Sequence, residues 1–491
     1  MDLLERIDAW GMTTPDQAAH ISEQQVLTYG ALRTQSDSLA HWLAHQPLAP
    51  SQPIAVLGHK QPEMLVGFLG AVKAGHPYIP LDLSLPSQRI ERIIATAHVQ
   101  IVLTPERIAG LVKTTAPAPA QRVGWQDPYY IIFTSGSTGE PKGVVITLEC
   151  LTSFVEWMLA EQQFQEQREI FLNQAPFSFD LSVMDLYLAL ATGGTLFSLT
   201  ASQMANARQL YPALAAANVT TWVSTPSFAQ MCLVEKSFQA DLLPRIKRFL
   251  FCGETLPPDV ATQLLTRFPA AQVWNTYGPT EATVATTSVR IDASLIRQYP
   301  MLPVGYGKPN VQILIQNETG QAVPSGERGE IVIAGTNVSP GYLGRPDLTA
   351  RAFFTYQGQR AYRTGDVGYL HDGLLFFERR ADQQVKLHGY RIELGDVEAN
   401  LCALPNVRGA AVLPVRKQGK VDALAAFVIL NEFSLDGQPA PSEFERSLAL
   451  RTALAERLPS YMLPRKFYFL EAFPMTVNGK IDRSKLAATF L

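Results

Sequence analysis

Ile131-Ile132-Phe133-Thr134-Ser135-Gly136-Ser137-Thr138-Gly139-Glu140-Pro141-Lys142-Gly143 is the most informative run in the chain. A short apolar stretch, Tyr129 to Phe133, empties into a loop of hydroxyl residues, glycines and one lysine. Backbone amides and hydroxyls in such a loop donate to phosphate oxygens, and a lysine supplies point charge. It is not a Walker A loop. That motif needs GxxxxGK[ST] opening a helix, whereas Lys142 is followed by Gly143 and a second apolar run, Val144 to Thr147. Taken alone, the same composition also describes an ordinary mobile surface turn.

Outward from this loop, helical and strand patterns alternate. Residues 27–44 carry apolar side chains at helical spacing, 53–58 read as a short buried strand, and 64–75 as a helix ending at a glycine. Residues 76–82 follow as an extended segment broken by proline, and 100–104 continue the strand series. Such alternation predicts layered α/β structure with largely parallel strands. Beyond about residue 310 short alternating segments are split by Gly and Asp-Gly turns, predicting hairpins and a small β-rich subdomain. From 383 to 491 the pattern predicts a compact α+β domain with a helix over 395–404, strands over 409–415 and 423–430, and a last strand over 466–473.

The bulk numbers bound the function. At 491 residues the chain exceeds one core, so two or more domains are expected. Apolar residues at 47% with 17% charged describe a folded enzyme rather than a disordered chain. A net charge of −3 supplies no electrostatic reason for nucleic acid or an anionic membrane as partner. The opening residues are acidic and lack a long apolar core, so no signal peptide and no membrane insertion are expected. Cys150, Cys232, Cys252 and Cys402 show no CxxC spacing, predicting neither a zinc site nor a disulfide framework. The expected location is cytoplasmic.

Four later segments are dense in potential ligands: Asn275-Thr276-Tyr277-Gly278-Pro279-Thr280-Glu281, Tyr362-Arg363-Thr364-Gly365-Asp366, Gly389-Tyr390-Arg391-Ile392-Glu393 and Asn478-Gly479-Lys480-Ile481-Asp482-Arg483. Each alone could be a turn with satisfied polar groups. In this order, with the loop, they resemble the core motifs of the adenylate-forming superfamily, which activates carboxylic acids as acyl adenylates. The resemblance runs from about residue 27 to 485, with weaker flanking matches at residues 27–32, 75–82, 326–353 and 458–464. It implies a large α/β N-terminal domain over residues 1–381 and a small mobile α+β lid over 382–491, with a hinge near Asp382.

The roles below follow from that resemblance. Thr134, Ser135, Ser137, Thr138 and Lys142 would hold the ATP phosphates, and Glu281 the Mg²⁺. Asn275, Thr276, Tyr277, Gly278, Pro279 and Thr280 would line the adenine and α-phosphate, with Tyr277 stacking on the base, and Phe377 would be a further ATP contact. Asp366 would take the ribose hydroxyls, since an ionised carboxylate accepts two hydrogen bonds at once. Lys480 would bridge the substrate carboxylate and α-phosphate, and Arg380 would reach ribose or phosphate. One departure is Arg379, where the superfamily's hinge motif has glycine, which places the local turn geometry in question.

For the acid itself, Phe177-Ser178-Phe179-Asp180-Leu181-Ser182-Val183-Met184-Asp185 resembles the segment that sets an aspartate against a substrate ammonium. Asp180 therefore argues for an amino acid; read from the residues alone, it could also be a helix N-cap. The remaining pocket positions carried over are Leu181, Met184, Val223, Leu250, Cys252, Thr276, Val284, Ala285 and Lys480, an apolar lining for a small neutral side chain. The segments 177–187, 222–233 and 249–254 resemble the branch that loads D-alanine onto a carrier protein, in which a cysteine at the place of Cys252 crowds one side of the α-carbon. Without that resemblance Cys252 would be a small buried hydrophobe. Relatives that activate L-proline are the competing reading, and a silent ATP-binding scaffold a third. The chain ends shortly after Lys480, so the acceptor is expected in trans, on the phosphopantetheine arm of a separate carrier protein.

Overall fold

A computed structural model describes the chain except residues 1, 114, 137–138, 167–168, 381–383, 388, 418–419, 432–441 and 476–480. The chain divides into two compact units. The first comprises Met1–Leu83, Thr96–Phe133 and Gly143–Ala381; the second comprises Ser84–Ala95, Thr134–Lys142 and Asp382–Leu491.

Two large sheets with helices packed on them dominate the first unit. In the nine-stranded sheet the strands Gln272–Tyr277, Arg248–Phe251, Thr221–Ser224, Ile170–Asn173, Thr195–Ser198 and Ala18–Ser22 run parallel, with antiparallel strands at either edge. Strands such as Thr221–Ser224 and Arg248–Phe251 are buried at every position, as expected when helices cover both faces of a parallel sheet. The six-stranded sheet carries Ile54–Gly58, Tyr78–Asp82, Pro128–Thr134 and Lys142–Thr147 in its interior.

Within residues 76–82, Tyr78–Asp82 thus form an interior strand rather than merely a proline-broken extension. Pro80 faces Val56 in register, while the pairing of this strand with Pro128–Thr134 runs through Tyr78 and Tyr130. Pro80 therefore lies beyond that second pairing, where its missing N–H removes little from the ladder. The helix expected over 27–44 is Tyr29–Ala44, preceded by the strand Gln25–Thr28, and that over 64–75 is Glu63–Lys73.

The β-rich region is a five-stranded antiparallel sheet. Within it Gln359–His371 and Leu374–Arg380 form a hairpin across Asp372-Gly373, both residues at positive φ (49° and 79°) as a primed two-residue turn requires.

The second unit has a hairpin, Gln384–Leu387 with Tyr390–Glu393, and a sheet of Val407–Lys417, Lys420–Leu430 and Lys466–Phe469. The helices Leu394–Cys402 and Glu443–Ala455 close its core around Val397, Leu401, Val412, Val428 and Leu454. The last strand is shorter than the sequence pattern suggested, because the chain leaves the sheet after Phe469 and returns as the helix Arg483–Phe490. Among the described residues no helix is long and apolar enough to cross a membrane.

Candidate active site

Three strands of the first unit bring a tyrosine, an aspartate and an arginine together, Tyr277 and Arg380 at strand ends and Asp366 within one. Tyr277 ends a strand, and its hydroxyl donates to Asp366 Oδ2 at 2.5 Å. Arg380 Nη1 takes the other oxygen, Asp366 Oδ1, at 2.9 Å. Antiparallel pairing of Asp366 with Arg380 sets that ion pair, since cross-strand neighbours on one face meet directly. The backbone N–H of Asp366 donates to Thr364 Oγ1 at 3.0 Å, and Thr364 in turn donates to the carbonyl of Ile331 at 2.6 Å. Burial, then the neighbouring Asp366 carboxylate, push the Tyr277 phenol well above its ordinary range, so it stays a neutral donor. The Tyr277 and Phe377 rings lie 6.1 Å apart at 33°.

Asn275 is 1% exposed; its amide nitrogen donates to the carbonyl of Pro303 at 2.8 Å, while its Oδ1 is buried without a partner. A buried orphan acceptor is costly unless a ligand donor meets it, and an exocyclic amine such as adenine carries is a group of that kind. Pro279 leads into a short 3₁₀ turn, Thr280–Ala282, in which Glu281 is wholly buried. Its carboxylate accepts from the Tyr342 hydroxyl at 2.8 Å, a contact the sequence motifs did not point to. Among the described residues no cluster of three or more His, Cys, Asp or Glu could hold a metal ion. One buried carboxylate nonetheless suits Mg²⁺, which takes few protein ligands and keeps several waters.

Asp180 stands at the start of the helix Leu181–Thr192 but its side chain makes no capping hydrogen bond. Instead Oδ2 accepts from Thr280 Oγ1 at 2.7 Å, tying the expected ammonium partner to the nucleotide segment. Leu181, Met184, Val223, Leu250, Cys252, Val284 and Ala285 are all buried and belong to one apolar cluster, so the structure brings together residues far apart in sequence. Thr276 lies buried beside them and donates to the carbonyl of Phe251 at 2.8 Å.

The wall at 283–285 is strained. Thr283 and Val284 both have positive φ (56° and 67°), rare for β-branched residues. The amide of Ala285 donates to the carbonyl of Thr283 at 2.8 Å, closing a tight turn around Val284. Asn337 over-determines it: its side-chain Nδ2 donates to the carbonyl of Ala282 at 2.7 Å, and its backbone carbonyl accepts from Thr283 Oγ1 at 2.7 Å. The Cys252 thiol donates to the carbonyl of Val284 at 3.5 Å, so this cysteine also latches the turn. Gly278 is required here, because a Cβ would lie 2.7 Å from the Cα of Ala285.

In the second unit Ser135 Oγ donates to the carbonyl of Arg391 at 3.0 Å and accepts from the amide of Glu393 at 3.1 Å, so its hydroxyl is already engaged. Thr134 Oγ1 is buried without a partner, and Lys142 opens the strand that follows the loop. Ser137, Thr138, Asp382 and Lys480 lie outside the described residues. Arg379, the departure from the motif, is exposed and donates from Nη1 to the carbonyl of Arg380 at 3.3 Å.

Residues 7–343 match the profile of the AMP-binding enzyme family, and 396–480 that of the AMP-binding enzyme C-terminal domain. The chain belongs to the AMP-binding enzyme family. Relatives of this AMP-binding enzyme named D-alanine–D-alanyl carrier protein ligase, from Bacillus anthracis and Bacillus thuringiensis, are 48% and 47% identical to it. Each comparison covers 99% of this chain and 99% of the relative. The crystal structure of the Vibrio cholerae adenylation domain AlmE in complex with glycyl-adenosine-5′-phosphate superimposes with a TM-score of 0.82 at 23% identity, covering 99% of this chain and 98% of that one. That likeness supports the adenylate-forming fold. In an AMP-binding enzyme the Tyr277–Asp366–Arg380 group is chemically fitted to a ribose: a carboxylate that can accept from two hydroxyls, flanked by a neutral donor and a cation.

Proposed function

We propose that this AMP-binding enzyme uses ATP to convert D-alanine to D-alanyl-AMP and then passes the alanyl group to the phosphopantetheine thiol of a carrier protein. The observation that carries this reading is identity of 47–48% along the whole length to relatives named for that reaction. The site supports it: Asp180 beside Thr280 offers one carboxylate for an ammonium, and the wall around it is small and apolar.

In the first step a substrate carboxylate oxygen attacks the α-phosphorus of ATP, the bond to the bridging oxygen breaks, and pyrophosphate leaves. The protein positions reactants and neutralises charge rather than forming bonds of its own. Asp180 orients the amine. Asp366 and Tyr277 orient the ribose, and Asn275 meets the adenine amine. Thr134, Ser135, Ser137, Thr138 and Lys142 are the proposed phosphate contacts, and Lys480 the cation between the two reactants. Glu281 is the residue that would hold Mg²⁺, whose charge would offset that of the departing pyrophosphate. In the second step the carrier thiol, losing its proton to solvent, attacks the acyl carbon and AMP leaves. Use of ATP and a carrier protein supports a cytosolic location. No observation favours L-proline activation or a silent scaffold.

The test is pyrophosphate exchange with a panel of D- and L-amino acids. Strong exchange with D-alanine and little with L-alanine or L-proline is expected. Exchange confined to L-proline, or none with any amino acid, would sink the reading.

A further inference from the structure

Behind the amino-acid pocket lies a charged group that the chemistry above does not use. Lys60 is 1% exposed, and its ammonium donates both to Asn173 Oδ1 and to the carbonyl of Ala175. The Asn173 amide nitrogen donates at 3.2 Å to that same carbonyl and at 2.8 Å to Asp185 Oδ1. Asn173 therefore links the buried cation to a wholly buried carboxylate. The Lys60 nitrogen also sits 4.7 Å from the centre of the Phe177 ring.

Ser198 Oγ donates to Asn173 Oδ1 at 2.8 Å and meets His20 Nε2 at 2.8 Å. Burial, then Lys60, press His20 down to about 3, so it is neutral. Burial holds Lys60 at about 8, with Asp185 and then Asp82 opposing that fall. Asp82 itself pairs with His59 Nδ1 at 2.7 Å.

What gives this network meaning is its place in the chain. Ala175 and Asp185 lie five residues before and five after Asp180. Ala175 opens the turn in which the amide of Phe179 donates to the carbonyl of Pro176 at 2.9 Å, and Asp185 lies in the helix that Asp180 begins. That helix also carries Leu181 and Met184 of the pocket wall.

We infer that Lys60 is a positioning residue for amino-acid recognition: through the Ala175 carbonyl and the Asn173–Asp185 link it fixes the backbone on both sides of Asp180. A buried charge pair is weak support for stability, because apolar replacements of both partners are often neutral. Its retention beneath a recognition turn is explained by geometry: a carbonyl held by two donors cannot swing, so Asp180 meets the ammonium already aimed.

The inference rests on the reading of an amino-acid-adenylating site, and the test separates the two. Pyrophosphate exchange of the full chain is measured with whichever amino acid the wild type activates best. The wild-type profile decides the reading; the ratio of each variant to wild type decides the inference. Lys60→Met removes the cation nearest the buried Asp185 carboxylate and both Lys60 hydrogen bonds, and is expected to lose thermal stability. The doubly neutral Lys60→Met/Asp185→Asn is expected to fold with a KM for the amino acid raised roughly tenfold or more, and a KM for ATP within about twofold of wild type. Lys60→Gln, which keeps an N–H donor for Ala175, should recover much of that loss. An unchanged amino-acid KM in the folded double variant, both KM values rising together, or Lys60→Gln behaving like Lys60→Met would each overturn the inference.

Discussion

At the scale of single residues the site separates into groups that bind and groups that aim. Asp180 binds. Asp180→Asn keeps the shape but removes the charge, and should raise the KM for D-alanine roughly tenfold to a hundredfold, as for loss of a charged hydrogen bond; an unchanged KM in steady-state exchange would exclude Asp180 as the ammonium partner. Lys480→Ala is expected to abolish adenylate formation while leaving ATP binding largely in place, measured by calorimetry alongside exchange. Cys252 has two ways to act, since it crowds the wall and also donates to the carbonyl of Val284. Cys252→Ala should narrow the D/L preference. Cys252→Ser keeps a donor, so comparing the two variants separates crowding from latching.

At the scale of elements, the turn at 283–285 shows what the sequence could and could not disclose. Asn275 to Glu281 was legible as a ligand-bearing segment because glycine, proline and acceptor residues cluster there. The strained turn beyond it was not, because Thr283 and Val284 are β-branched and nothing in their identity signals a positive φ. The partner that holds the turn, Asn337, is more than fifty positions away and reaches it through Ala282 and Thr283. Asn337→Ala should destabilise the protein by roughly 1–3 kcal/mol and weaken D-alanine binding; a melting curve coincident with wild type would show the turn holds itself. The Asp372-Gly373 hairpin was legible because that dipeptide demands a primed turn. The strand through Pro80 was masked by a residue that normally argues against one. A capping box, Asp2 with Glu5, marks the helix Leu3–Thr13, whereas the sequence reading weighed those residues only as a possible leader.

At the scale of the whole molecule, the order of motifs along the chain was the strongest signal, because local chemistry alone leaves each one open. Packing imposes its own whole-chain property. His20 is fully buried with its pKa lowered from 6.5 to about 3, burial being the first cause and Lys60 the second. The unfolded chain binds a proton there near pH 6.5 and the folded chain does not, so this contribution is complete above that pH and is lost progressively down to about pH 3. Melting temperature followed across that range should therefore fall less steeply in His20→Gln; parallel curves would show that His20 is not buried neutral. The proposed ribose carboxylate carries a different consequence. Asp366 is already held on both oxygens, by Tyr277 and by Arg380, which lies two residues ahead of the division at 382. Each oxygen keeps a further lone pair, so a ribose can be received on a carboxylate that Tyr277 and Arg380 already aim, with Arg380 at hand as the cation for a phosphate. The site thus filters by ligand charge: adenosine should compete poorly where AMP competes well, although both carry the same base and sugar.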